Sequence, residues 1–92
     1  MSDNSNEEET LFEFPCEFPI KAMGRSGPEL ESAVLDIMHR HVPDLTEGSV
    51  KLTASKGGKF TSITVTITAQ SKAHVDGIYL ELTACEHVLF AI

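Results

Sequence analysis

Four histidines, two cysteines and a scatter of hydroxyls are the groups here that could do chemistry, and their spacing assembles no familiar site. His39 and His41 are two apart, so on a helix they project about 200° from each other and cannot share an ion. Cys85 and His87 share a side if the last segment is a strand, but a zinc site uses three or four ligands. Asp36 and His39, three apart, make a common surface pair on helices. No nucleophile has a general base at recognisable spacing, and neither a G-x-S-x-G elbow nor a phosphate loop occurs. The expectation is a chain that is not an enzyme, with no catalytic residues, no metal site and no cofactor.

Two loops hold the remaining candidates. Gly24-Arg25-Ser26-Gly27 leads into a helix, where free backbone N–H groups, the positive end of the dipole and Arg25 could together hold a small anion. The plainer reading is a tight turn in which Ser26 caps the helix. Lys56-Gly57-Gly58-Lys59-Phe60 is the one local concentration of positive charge. Phe60 falls on the same face as Thr64 and Thr66, exposed beside two lysines as a partner anchor, unless it tucks under Met23. Loop tips on rigid hairpins often carry recognition.

The elements that must position these loops follow from periodicity. Two alternating runs within Ser49–Ala69 flank Lys56-Gly57-Gly58-Lys59 and predict a β-hairpin. In the second run Ile63, Val65, Ile67 and Ala69 point one way and Ser62, Thr64, Thr66 and Thr68 the other. A strand with one dry and one hydroxyl-lined face belongs to a sheet covered on one side. A first strand over Phe18–Met23 turns Phe18, Ile20 and Ala22 inward and Lys21 outward, and Pro19 delays regular pairing to Ile20. Ser26 and Glu29 fit a capping box, and Pro28 suits a first helical turn. Leu30, Ala33, Val34, Ile37, Met38 and His41 then form a helical stripe that Pro43 ends. A second helix from near Ser71 buries Val75, Ile78, Tyr79 and Leu82, and Gly77 within it implies close backbone packing. Glu86–Ile92 closes the chain as a strand with Val88, Phe90 and Ile92 on one side. The order β-α-β-β-α-β with right-handed crossovers predicts an α+β, ferredoxin-like split βαβ sandwich. Its four-stranded antiparallel sheet runs in order 4-1-3-2 with two helices on one face.

Charge and length bound the rest. Residues 1–19 contain six acids and no Lys or Arg, so most of the net −7 belongs to the N-terminal end. Residues 20–92 set seven basic groups against eight acids (Glu29, Glu31, Asp36, Asp44, Glu47, Asp76, Glu81 and Glu86), a near-neutral body. The polar segment 1–10 is expected to be a disordered acidic tail, and 11–92 a single domain entered through an extended lead-in, Leu11–Pro15. A near-neutral body lacks the clustered cations that phosphates demand. The open face is expected to carry Lys21, Met23, Lys51, Thr53, Ser55, Ser62, Thr64, Thr66, Thr68 and His87, so the central positions where an RNA-recognition domain stacks bases on aromatics hold Thr, Lys and Met. No apolar run is long enough to span a bilayer, and the N-terminus has no secretory signal pattern. Cys16 and Cys85 fall at opposite ends of the sheet, roughly 20 Å apart by strand rise, so no internal disulfide is expected. A reduced, cytoplasmic protein follows.

Leu11-Phe12-Glu13-Phe14-Pro15, Lys21-Ala22-Met23-Gly24, Arg40-His41-Val42-Pro43, Ser55-Lys56-Gly57 and Ser62–Ile67, taken in order, resemble the YbeD family of small bacterial proteins. The resemblance covers Leu11–Ile92. It implies a ferredoxin-like fold similar to the ACT regulatory domains that sense amino acids, and a role as a lipoate-binding regulator. It carries over no functional residues.

Two functions are therefore expected to compete. One is a cytoplasmic regulatory module binding a small anionic metabolite at Gly24, Arg25, Ser26 and Gly27, where two copies of an ACT-like homodimer would meet. The other is an adaptor docking a protein partner through Lys56, Gly57, Gly58, Lys59 and Phe60. RNA binding stands a distant third, and no membrane partner is expected.

Overall fold

The computed structural model describes residues 13–92; the expected tail 1–10 and residues 11–12 of the lead-in lie outside the described residues. Through a cis Phe14–Pro15 bond the chain enters β1 (Cys16–Arg25), followed by α1 (Pro28–His41), a 3₁₀ turn (Glu47–Ser49), β2 (Val50–Ala54), β3 (Phe60–Ala69), α2 (Lys72–Ala84) and β4 (Phe90–Ala91). The antiparallel sheet has spatial order β2-β3-β1-β4, the predicted 4-1-3-2 read from the other edge. This is the ferredoxin-like arrangement. Ile20 and Ala22 of β1 and Ile63, Val65, Ile67 and Ala69 of β3 form the dry face. Leu30, Val34, Ile37 and Met38 of α1 and Val75, Ile78 and Leu82 of α2 cover it. Phe18 and Tyr79 pack at the margin of this core.

The first strand is longer than its sequence suggests. It pairs with β3 over ten residues, starting at Cys16–Ala69, so Pro19 sits inside the ladder opposite Thr66. The hydrogen-bond phase explains why it fits. Lys21 exchanges backbone bonds with Ile92 (2.9 and 2.8 Å), and the Met23 carbonyl accepts from Leu89 N–H, so odd-numbered residues of β1 direct their backbone groups towards β4. By alternation the Pro19 nitrogen points the same way, and β3 loses no bond to it.

The last strand corrects the prediction in the opposite sense. The strand is only Phe90–Ala91, extended by the Ile92 bonds to Lys21, and although Val88 is buried, Phe90 and Ile92 are 46% and 64% exposed. Leu89 N–H donates to the Met23 carbonyl, whereas the Cα partner of Met23 is Phe90. Two residues thus oppose one, a bulge that shifts the alternation by one place. Val88 and Ala91 turn to the core, and Phe90 and Ile92 to the open face. Cys85 and His87 are not strand neighbours, because Cys85 caps α2 and a turn runs from it to Val88.

Two glycines exchange roles relative to expectation. A Cβ on Gly24 would overlap the carbonyl oxygen of His87 and come within 2.8 Å of Leu30 Cδ1, so this is where backbones meet closely. A Cβ on Gly77 would meet only His41 Cε1, at an ordinary 3.6 Å. The helices are joined instead by polar side chains. Glu81 of α2 accepts from the Arg40 guanidinium and from His41 Nε2 (3.0 Å), while Asp36 accepts from the other arm of Arg40 at 2.7 Å. His74 Nδ1 accepts from Gln70 N–H, so its hydrogen lies on Nε2, which donates to the His41 carbonyl at 2.9 Å.

Two outcomes follow in unfolding experiments. Gly24→Ala lowers stability by about 1–3 kcal/mol through overpacking, while Gly77→Ala raises it by up to about 1 kcal/mol from helix propensity; urea midpoints of the two variants separate them. The hydrogen bonds from Arg40 and then His41 hold the Glu81 carboxyl below the usual carboxylate range. Its contribution is therefore complete above the unfolded value of about 4.3 and fades as pH falls through the lower folded one. Glu81→Gln should melt below the wild type at neutral pH, with the gap closing on acidification.

Candidate functional site

The two loops singled out by sequence lie side by side. Arg25 is the Cα partner of Phe60, Ser26 N–H donates to the Lys59 carbonyl (2.9 Å), and Ser26 Oγ meets Thr61 Oγ1 at 2.7 Å. Ser26 is thus a strut between the β1–α1 loop and the hairpin base. It is not the helix cap: Gly27, at φ +150°, holds that position and no side chain caps the first turn. The hairpin closes with Gly58 N–H on the Ser55 carbonyl (2.8 Å). Gly57 and Gly58 have φ of +90° and +77° with open space around them, so the turn needs glycine for backbone conformation alone. Lys56 and Lys59 are exposed, but Phe60 is half-buried on the open face.

Beside this strut is a cleft of about 430 Å³, lined by Arg25, Ser26, Glu29, Leu30, Glu86, His87 and Leu89. Arg25 has no ion-pair partner among the described residues. Glu29 Oε1 lies 3.0 Å from where a Gly27 Cβ would stand, which brings negative charge to the helix start where an anion was expected. The cleft therefore offers one guanidinium, two carboxylates and the apolar sides of Leu30 and Leu89. Ser26, His87 and Glu86 share it without forming a catalytic chain. Ser26 Oγ is occupied by Thr61, and His87 Nε2 is 3.7 Å from Glu86 Oε2. No hydrogen bond joins Ser26 to His87.

A model of the family described as a protein of unknown function, DUF493, matches residues 9–92. The chain belongs to this family. It is 47% identical over 79 residues to a UPF0250 protein of Chromobacterium violaceum, covering 86% of this chain and 89% of that one. With a UPF0250 protein of Neisseria gonorrhoeae it shares 39% over 88 residues, 96% of each chain. The solution structure of protein HP0495 from H. pylori superposes with a TM-score of 0.69 at 15% identity, covering 88% of this chain and 85% of that one. That likeness concerns the fold. The YbeD-like character of the sequence and its ferredoxin-like architecture agree with these matches.

The remaining reactive groups of this family member are dispersed. His41 and His74 are tied into the helix contacts, and both cysteines are free thiols. Cys16 pairs with Ala69 just before α2 begins, and Cys85 follows the other end of that helix. Among the described residues no three His, Cys, Asp or Glu side chains gather as a metal site, and no helix is long and apolar enough to cross a membrane. Sequence reasoning missed Glu86, His87 and Leu89 as cleft residues, because the turn that carries them closes against Gly24, some sixty positions earlier in the chain. The loss of the Ser26 strut is measurable. Ser26→Ala should cost about 1 kcal/mol and speed amide exchange around the hairpin base, leaving the first turn of α1 unchanged; faster exchange in that turn would restore the capping role.

Proposed function

We propose that this chain is a non-enzymatic cytoplasmic regulatory module that holds a small amphipathic monocarboxylate of the lipoate class in the cleft beside Arg25. The observation that carries this reading is the pairing, in one cleft of about 430 Å³, of a guanidinium with no ion-pair partner among the described residues and the exposed Leu89, above the buried Leu30. A cavity of that size falls within the range of small-molecule sites, about 300–1,000 Å³. Arg25 suits a carboxylate through its planar donor fork, and the two leucines suit an alkyl body. Glu29 and Glu86 repel polyanions such as phosphate esters, so one negative charge at one end is the favoured ligand design. Regulation in the manner of ACT domains, through a homodimer whose ligand lies near the first β–α loop, is an analogy of fold. The absence of a hydrogen-bonded nucleophile–base pair around Ser26 favours binding over catalysis.

The alternative, an adaptor docking through the 55–61 hairpin, draws on exposed Lys56 and Lys59 at a tip held by Ser55 and Phe60. Phe60 is half-buried, which leaves that tip charge without an apolar anchor. Calorimetric titration with lipoate, octanoate and free amino acids tests the cleft. Saturable heat with the first two, weakened about tenfold or more by Arg25→Ala through the lost charge-assisted bonds and unchanged by Lys56→Ala, is the expected result. Silence with every ligand, or binding indifferent to Arg25, overturns it.

A further inference from the structure

The near-neutral body conceals two layers of opposite sign. From the start of β1 onward only Glu17 among the acids lies on a strand, opposite Thr68; the other eight sit on the helices, the 3₁₀ turn and the connecting loops. Of the seven cations, Arg40 and Lys72 are neutralised within the helical layer, by Asp36 and Glu81 and by Asp76. The others belong to the sheet and hairpin, and Lys21, Lys51, Lys56 and Lys59 have no ion-pair partner among the described residues.

Sheet register arranges part of this charge in rows. Ile92, Lys21, Thr64 and Lys51 follow one another across β4, β1, β3 and β2, and Phe90, Met23, Ser62 and Thr53 form the adjacent row. All eight side chains point away from the helices. Lys21 and Lys51 are exposed, two strands apart, or roughly 10 Å between Cα atoms. At the β4 side Phe90 and Ile92 stand beside Met23 as an exposed apolar margin. The face is thus cationic through its middle and apolar along one edge, with Glu17 the one acid on its strands, at the far end of β1.

We propose that this open sheet face docks an acidic segment of a protein partner, with carboxylates on Lys21 and Lys51 and an apolar side chain against Met23, Phe90 and Ile92. The inference is independent of the cleft and moves the adaptor surface from the hairpin tip onto the sheet. Charge complementarity selects the partner, since buried lysines without counter-charges would oppose any neutral or basic surface. A second copy docked face to face would bring two lysines from each copy together against a single acid per copy, Glu17. Single-stranded RNA would require stacking bases where the middle of the central strands presents Lys21, Met23, Ser62 and Thr64, with Phe60 half-buried at the end of β3.

The test is an NMR titration of the full chain with a synthetic peptide of Glu and Asp around Phe and Leu. Controls are the same peptide with Gln and Asn for the acids, and a uridine-rich RNA. Shifts at Lys21, Met23, Lys51, Thr64 and Ile92, weakening with added salt, are expected for the acidic peptide. Lys21→Glu combined with Lys51→Glu should reduce affinity about tenfold or more, and Lys21→Gln with Lys51→Gln less, both keeping native spectra elsewhere; Lys72→Ala, on the helical layer, should leave binding intact. No shifts, shifts confined to the helices, equal binding by the neutral peptide, indifference to both lysine variants or preference for RNA overturns the proposal.

Discussion

Every other part of the molecule depends on the ladder between β1 and β3. Ten consecutive residue pairs, from Cys16–Ala69 to Arg25–Phe60, lock two central strands in one register. Side chains alternate with a period of two, so that register decides at once which residues meet the helices. Ile20 and Ala22 then share a face with Ile63, Val65 and Ile67, all almost fully buried. A slip by one residue would carry either Lys21 or the threonines of β3 into the core, where unpaired polar groups are costly. The helices need supply only complementary apolar stripes, and their mutual contact is finished by the Arg40–Glu81–His41 cluster.

The same ladder gathers the groups available for recognition. By ending at Arg25 and Phe60 it delivers the β1–α1 loop to the base of the hairpin, and Ser26 fastens the two together. Beside that junction β4 approaches so closely that Gly24 tolerates no side chain, and the turn before β4 supplies the far wall of the cleft. On the opposite face the register sets Lys21 and Lys51 in one row with Ile92. Cleft and open face share the end of β1 but expose different chemistry: a guanidinium among carboxylates and leucines in one, ammonium groups beside an apolar edge in the other. A helical layer rich in acids and a sheet layer that carries Lys21 and Lys51 against the single acid Glu17 make the domain electrically two-sided, although residues 20–92 nearly balance.

Local patterns made much of this legible. The Ile63–Val65–Ile67 alternation and the Leu30–Val34–Ile37–Met38 stripe each describe a surface facing one partner layer, so the burial of these residues could be read without knowing the partner. The two glycine-bearing loops also stood out, by composition. Three details escaped. Ser26 looks like a cap in sequence, yet a hydroxyl from β3 competes for it. Gly77 looks like a close contact because it sits in a helix, whereas the close contact is at Gly24. Phe90 and Ile92 look buried because they share a period with Val88, but the bulge at Leu89 breaks the phase between them.

The sequence by itself determined the element order, the faces of the long strands and helices, and hence the ferredoxin-like class, because each of those depends on a periodicity carried by neighbouring residues. Only the tertiary structure decided which way the short last strand turns, what lines the cleft beside Arg25, and that the lysines without an ion pair among the described residues gather on one layer. Those features arise where residues far apart in the chain compete for the same space or the same hydrogen bond, and no local pattern records the winner.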